Sequence, residues 1–352
     1  MLSRSVALFL LVFLLPGWAG ACTAFVLDTP DGPVFGANLD LFTPGDGLLL
    51  VNSRGLEKAT YRTGTTGDRF HWTSEYGSVT FALAGNEFAW GGMNEAGVAV
   101  ATLELRSGKY PKPDERPAFF DGGWTQFVLD TCATVEEAAQ SLSDVTIRED
   151  HASSHYLVAD ASGAAIAVEF LDGETVIYSG DDLRVKAMSN MRYGRALYAH
   201  EKGGTRWWWS NPGRSAERFA ACQERADSYD ATRDSSAVNY AMGTLVYYVA
   251  APHTRWNIVY DIPSREIHYR TVQSPEYKSV SLGAFDFSCE SGKKMLDVNT
   301  PHEGAIERRF VPYDPVVNLS VFRTFCERYG IDVSEADARE VTGFFNDFRC
   351  AE

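Results

Sequence analysis

The chain has 352 residues, 45% of them apolar and 22% charged, the composition of a folded protein of one large domain or two ordinary ones. A formal net charge of −15 excludes nucleic acid as a partner, because so acidic a surface repels a phosphate backbone. The seven histidines are scattered and no C-x-x-C or H-E-x-x-H run occurs, so neither a metal nor another cofactor is expected.

The N-terminus has its own composition. Met1-Leu2-Ser3-Arg4 is a short basic start, 6–15 is an apolar run, and Ala19-Gly20-Ala21 fits a small-x-small cleavage site. Residues 1–21 therefore read as a secretory signal peptide, the apolar run being too short to span a bilayer. No later stretch approaches the length of a membrane span, so no stable membrane insertion is expected after signal removal. The protein is expected to be exported, periplasmic or secreted. Export permits disulfides. Of the six cysteines, Cys326 and Cys350 flank two predicted C-terminal helices and are expected to pair.

Strands come first in chain order. Segment 22–27 is apolar and β-compatible, Thr29-Pro30-Asp31-Gly32 is a turn signal, and 34–39 completes a hairpin. Segments 48–52, 78–84 and 98–105 are further strands, with Gly-rich 91–97 as a turn between two of them. That turn precedes no helix, so it is not a phosphate loop, and Asn94 reads as a turn-former. Residues 124–142 read as helical, with a restart where Thr134 and Glu137 resemble a capping box. Strands at 155–159, 165–171 and 175–178 precede helices at 191–201, 214–229 and 235–248, and strands return at 256–261 and 266–271. From about 290 the chain is more polar, with helices at 321–329 and 334–348. This block order predicts an α+β fold with a mainly antiparallel sheet. Trp207-Trp208-Trp209 reads as buried packing before a lid over an acyl chain or a homo-oligomer contact.

By position alone Cys22 has three readings: the lipid-modified cysteine of a lipoprotein, a structural thiol, or a nucleophile freed by processing. Ala19 replaces the Leu usual in a lipoprotein box, which weakens the first. The third has a specific physics. A thiol needs a base to react near neutral pH. A free α-amino group titrates at about 7.7–8.0, so an N-terminal Cys carries nucleophile and base on one residue.

Cys22-Thr23-Ala24-Phe25, then Asp31-Gly32, then Phe35-Gly36-Ala37-Asn38-Leu39-Asp40 resembles the opening of the choloylglycine hydrolase family, which includes bile salt hydrolases and penicillin V acylases. The resemblance continues through Gly92-Met93-Asn94-Glu95-Ala96-Gly97, Ser189-Asn190 and Ser215-Ala216-Glu217-Arg218-Phe219, over 22–285. It implies a four-layer αββα N-terminal-nucleophile hydrolase domain there, with 286–352 as a helical extension packed on the core. It also implies residue roles. Cys22 would attack an amide carbonyl and Asp40 would orient its α-amino group. Asn190 would donate to the oxyanion and Arg218 would favour the ionised sulfur. The plain alternatives are a strand-end acid, a loop Asn and an exposed helical Arg. Two positions depart from the bile salt hydrolase pattern. Ala37 stands where that family has Arg, removing a positive charge from beside the thiol and favouring an uncharged acyl amide over a bile salt. Glu104 stands where an oxyanion-region Asn is expected, and reads equally as a supporting acid or a strand-end residue. The implied activity is hydrolysis of a linear, non-peptide N-acyl amide through a Cys22 thioester. The alternatives are acyl transfer from the same acyl-enzyme, and a lipid-anchored or non-catalytic binding relative.

Overall fold

The computed structural model describes residues 22–61, 67–148, 153–203, 212–234 and 236–352. The expected signal peptide 1–21 and the run Trp207-Trp208-Trp209 lie outside the described residues.

The first hairpin is made by its turn. The Thr29 hydroxyl accepts from Asp31 N (3.2 Å) and donates to Gly32 O (2.7 Å), and Gly32 takes φ +115°, which an L side chain would resist. Strand β1 (Thr23–Leu27) and strand β2 (Val34–Asp40) then pair antiparallel, in register from Thr23 opposite Asn38 to Leu27 opposite Val34. Every residue of both is buried, so their apolar character is nearly continuous.

These strands lie inside a seven-stranded sheet. Ala187–Ser189 pairs with β1 on its outer side, and Thr254–Asp261, Glu266–Thr271, Lys278–Ser281 and Gly304–Ala305 continue beyond β2. A nine-stranded sheet stacks against it, in the order Glu174–Ser179, Ala165–Leu171, Ser153–Ala159, Ala99–Leu105, Ala89–Asn94, Ser78–Ala82, Leu48–Asn52, Lys294–Asp297 and Val311–Pro312. The space between is filled by Ala24, Ala37 and Leu39 from one sheet and Phe81, Met93 and Leu157 from the other. Phe81 meets Tyr260 edge-on at 6.4 Å between ring centroids.

Helices α1 (Asp121–Thr131) and α2 (Val135–Asp144) cover the outer face of the nine-stranded sheet. Trp124 and Val128 pack there on Val100 and Tyr156. Thr134 and Glu137 form the expected capping box that starts α2. Helices α3 (Tyr193–Glu201), α4 (Pro212–Ser228) and α5 (Ala237–Gly243) cover the seven-stranded sheet. The result is the α+β fold that the block order predicts, in the four αββα layers that the family resemblance implies.

Three expectations are corrected. Gly91 and Gly92 belong to strand Ala89–Asn94, not to a turn. A Cβ at Gly91 would stand 2.6 Å from Val100 O, and one at Gly92 2.6 Å from Val79 O, so these glycines permit close sheet approach. The turn is confined to the residues after Asn94, whose side chain donates to Leu129 O and Cys132 O and accepts from the Gly97 and Val98 amides. Next, segment 286–352 is strand as well as helix, since Lys294–Asp297 pairs with Leu48–Asn52. Finally, Cys350 pairs with Cys289, not with Cys326. Helices α6 (Pro315–Arg328) and α7 (Glu335–Asn346) form a hairpin. Cys326 faces the apolar cluster between them, with Phe322, Ala338 and Phe345. Cys350 follows α7 and pairs beside Leu56, with its Cα 5.7 Å from that of Cys289.

The Cys289–Cys350 bond closes a loop of sequence separation 61 around that hairpin. Replacing both by Ser should lower stability by about 2–4 kcal/mol, measured by denaturant unfolding. Reduction should reproduce the loss in the unaltered protein and do nothing to the double variant. Equal stability of the two oxidised proteins would show that packing alone holds the hairpin.

Candidate active site

Cys22 stands immediately before β1 and is buried, with 5% of its surface exposed. The Asp40 amide, at the end of β2, donates to its Sγ at 3.5 Å, and the Asp40 carbonyl lies 3.9 Å from the same sulfur. The hairpin register brings these two residues together: Thr23 opposite Asn38 leaves the residues beyond each at the same end of the sheet. Asn38 anchors β2 from the helix side. Its amide donates to the Leu245 carbonyl at 2.9 Å, and its side-chain oxygen accepts from Asn257 at 2.7 Å.

Arg218 arrives from α4 and is buried rather than exposed. Its Nε donates to Thr23 Oγ1 at 2.8 Å, and its Nη2 to Ser215 Oγ at 3.1 Å and Asn190 Oδ1 at 3.4 Å. Asn190 follows the short strand Ala187–Ser189, whose Ser189 sits opposite Thr23. Its Nδ2 donates to the Glu104 carbonyl at 2.7 Å, and an amide nitrogen carries a second hydrogen. Glu104 thus joins the site through its backbone. Its carboxylate pairs with Arg106 at 3.2 Å, and burial raises its pKa. One hydrogen-bonded chain therefore links Thr23, Arg218, Asn190 and Glu104, with Cys22 and Asp40 at its head.

The electrostatics of the site hold the thiol in its neutral form. Burial, and then the Asp40 carboxylate, push the Cys22 thiol up; the Asp40 backbone and the Arg218 charge pull it down. The cationic support of the sulfur comes from Arg218, and Ala37 is fully buried among apolar residues beside Ala24 and Ile258. Asp40 is also buried, and neither carboxylate oxygen has a hydrogen-bond partner among the described residues. Burial raises its pKa to about 7, against the smaller downward pulls of Thr254, Arg218 and Arg255. Thr254 acts here without a hydrogen bond of normal geometry.

A cleft of about 820 Å³ opens beside this chain, with Phe42, Glu104, Asn190, Arg218, Tyr248 and His253 in its walls. Nothing in the local sequence marks Thr23 and Ser215 as partners of Arg218. Their role depends on how α4 docks against β1.

Stacked antiparallel sheets flanked by helices, with a thiol at the head of an inner strand, define an N-terminal-nucleophile hydrolase fold. The sequence model described as linear amide C–N hydrolases, choloylglycine hydrolase family, matches residues 22–194. Penicillin V acylase of Pectobacterium atrosepticum is 26% identical, over 84% of this chain and 91% of that protein. The structure of penicillin V acylase from Agrobacterium tumefaciens superposes with a TM-score of 0.68 at 26% identity, covering 84% of this chain and 98% of that one. A variant of the conjugated bile acid hydrolase from Clostridium perfringens shares the fold, with a TM-score of 0.62 at 12% identity, over 81% of this chain and 99% of that one. The chain belongs to the choloylglycine hydrolase family and is a hydrolase of non-peptide C–N bonds in linear amides.

An unfolded Asp titrates near 3.9, so the folded chain favours the neutral acid at Asp40, and this stabilisation is fully present below that pH and lost as pH rises through about 7. In a chain with residue 21 still joined to Cys22, Asp40→Asn should gain stability over the unaltered protein between about pH 4 and 7. The gain should approach roughly 4 kcal/mol above that window. Urea unfolding across the range measures it, and a pH-independent difference would show that Asp40 already has a partner.

Proposed function

We propose that the protein is exported, that cleavage after Ala21 leaves Cys22 as the first residue, and that Cys22 then hydrolyses an N-acyl amide through a thioester. The observation that carries this reading is the buried Asp40 carboxylate, unpartnered among the described residues, at the end of the strand that touches Cys22 Sγ. A buried carboxylate is costly without a donor or a cation. The ammonium created by cleavage at residue 22 would supply both. Asp40 would ionise and hold the amino group toward the thiol; in its neutral form that amine would take the thiol proton, and the ammonium so formed would face the Asp40 carboxylate. Arg218 would support the resulting thiolate. The Cys289–Cys350 disulfide agrees with export to an oxidising compartment.

The catalytic sequence follows from the same atoms. The sulfur attacks the acyl carbonyl. The second hydrogen of Asn190 Nδ2, with backbone N–H groups, receives the tetrahedral oxyanion. The amine departs as the Cys22 amino group returns its proton, and water releases the acid from the thioester. Arg195 and Arg214 also line the cleft, and neither has a carboxylate within ion-pair distance among the described residues. An acidic group on the amine side of the substrate would meet them there, which restores substrates bearing an anion to those compatible with Ala37.

Cys22→Ala should cost about 10⁴-fold or more in kcat/KM on any acyl amide the protein cleaves. Arg218→Met should cost about 10²-fold. Mass spectrometry of the unaltered enzyme, quenched early in turnover, should find the acyl group on the peptide that begins at Cys22. Activity retained by Cys22→Ala would place the nucleophile elsewhere.

A further inference from the structure

The segment after Asp40 divides two spaces. Phe42 lines the cleft that holds Asn190 and Arg218, while its neighbours Leu41 and Thr43 line a second cavity of about 350 Å³. Helix α6 forms the far wall of this cavity with Val321, Phe325 and the residue that closes the helix, Tyr329. Leu48 and Met295, from adjacent strands of the nine-stranded sheet and in one apolar cluster, form its floor. Leu48, Met295 and Tyr329 are buried, and the outer end opens past the exposed Val311 and Val317. Its charged lining residues are Asp46, which is paired with Arg328, and Asp297 and Arg309. The family match ends at residue 194, well before α6.

The inner end lies close to the nucleophile. Leu41 follows Asp40, whose amide is 3.5 Å from Cys22 Sγ. Consecutive Cα atoms are about 3.8 Å apart, so the Leu41 wall lies within roughly one side chain of the sulfur. Leu41 packs against both the core cluster that contains Cys22 and the cluster beneath α6. Across the mouth, the Tyr329 and Thr43 hydroxyls share a hydrogen bond of 3.3 Å, and the Tyr329 phenol feels the charges of Cys22 and Glu104. Tyr329 stacks on Phe325, with ring centroids 4.4 Å apart, which sets the width of the inner end.

We propose that this cavity is the acyl subsite and that it takes an unbranched aliphatic chain, threaded from the thioester past Leu41 and Tyr329 toward the opening at Val311 and Val317. The proposal rests on the Cys22 amidase reading and adds that the C-terminal hairpin selects the acyl group. The apolar walls given by Leu41, Leu48, Leu83, Met295, Val321 and Phe325 suit methylene groups, and an open outer end imposes no sharp upper length. The volume falls within the range of small-molecule sites, at its lower end.

The test uses N-acyl amides of one leaving amine with acyl groups from acetyl to dodecanoyl. In the unaltered enzyme kcat/KM should rise by about fourfold per methylene over the part of the series that fills the cavity. Val321→Trp should fill the middle of the cavity and lower the dodecanoyl-to-butanoyl ratio of kcat/KM at least tenfold. Phe325→Ala should widen the inner end and raise the ratio for a branched over a straight chain. Tm establishes that each variant folds, and either one that folds decides the matter. A dodecanoyl-to-butanoyl ratio unchanged in a folded Val321→Trp, or a branched-chain ratio unchanged in a folded Phe325→Ala, would overturn the acyl subsite while leaving Cys22-dependent hydrolysis standing. Cleavage that survives Cys22→Ala would overturn the amidase reading, and this one with it.

Discussion

A carboxylate kept from water needs a partner, and Asp40 has none among the described residues for either oxygen. Much of the surrounding structure can be understood from that constraint. Strand β2 is fixed along its length, by β1 on one side and Thr254–Asp261 on the other, and Asn38 ties it to the backbone of the helical layer. Asp40 therefore cannot relax outward to find water. Its backbone meanwhile touches the Cys22 sulfur, so any charge that satisfies the carboxylate also acts on the thiol.

Arg218 is the second fixed charge, and its position explains why several short elements matter. It bonds simultaneously to Thr23, beside Cys22, and to Asn190, beyond the neighbouring strand. Guanidinium geometry suits this bridging, because its donors form a rigid planar fork. Ala37 leaves the opposite face of β2 apolar and belonging to the core between the sheets. The electrostatic support of the thiol is thus one-sided, from the helix layer.

Much of this fold was legible because its long strands are apolar runs between turn residues. Leu48–Asn52, Ala165–Leu171 and Glu266–Thr271 appear within the bounds that pattern predicts. The strand Ala187–Ser189 was not, since three residues carry no periodicity; its place beside β1 nevertheless sets Asn190 near Thr23. Gly91 and Gly92 were misread because glycine marks turns and close sheet contacts alike. The partner of Cys350 was misread because pairing depends on which strand carries the tail back, and that is a tertiary fact. In the site, Cys22, Asp40, Asn190 and Arg218 were legible through motif resemblance, and the structure brings all four together. The hydroxyls of Thr23 and Ser215 that seat Arg218 were not, nor was Tyr329, whose nearness to Cys22 depends on the fold of the C-terminal hairpin.

The central claim is that a free amino group on Cys22 completes the site by meeting Asp40. Two otherwise identical proteins test it most directly, one beginning at Cys22 and one retaining Ala21 in peptide linkage. The expected result is that only the first forms a thioester and turns over an acyl amide, although both fold and both carry the same thiol. Equal kcat/KM for the two would contradict the account, because the base would then have to come from elsewhere in the chain.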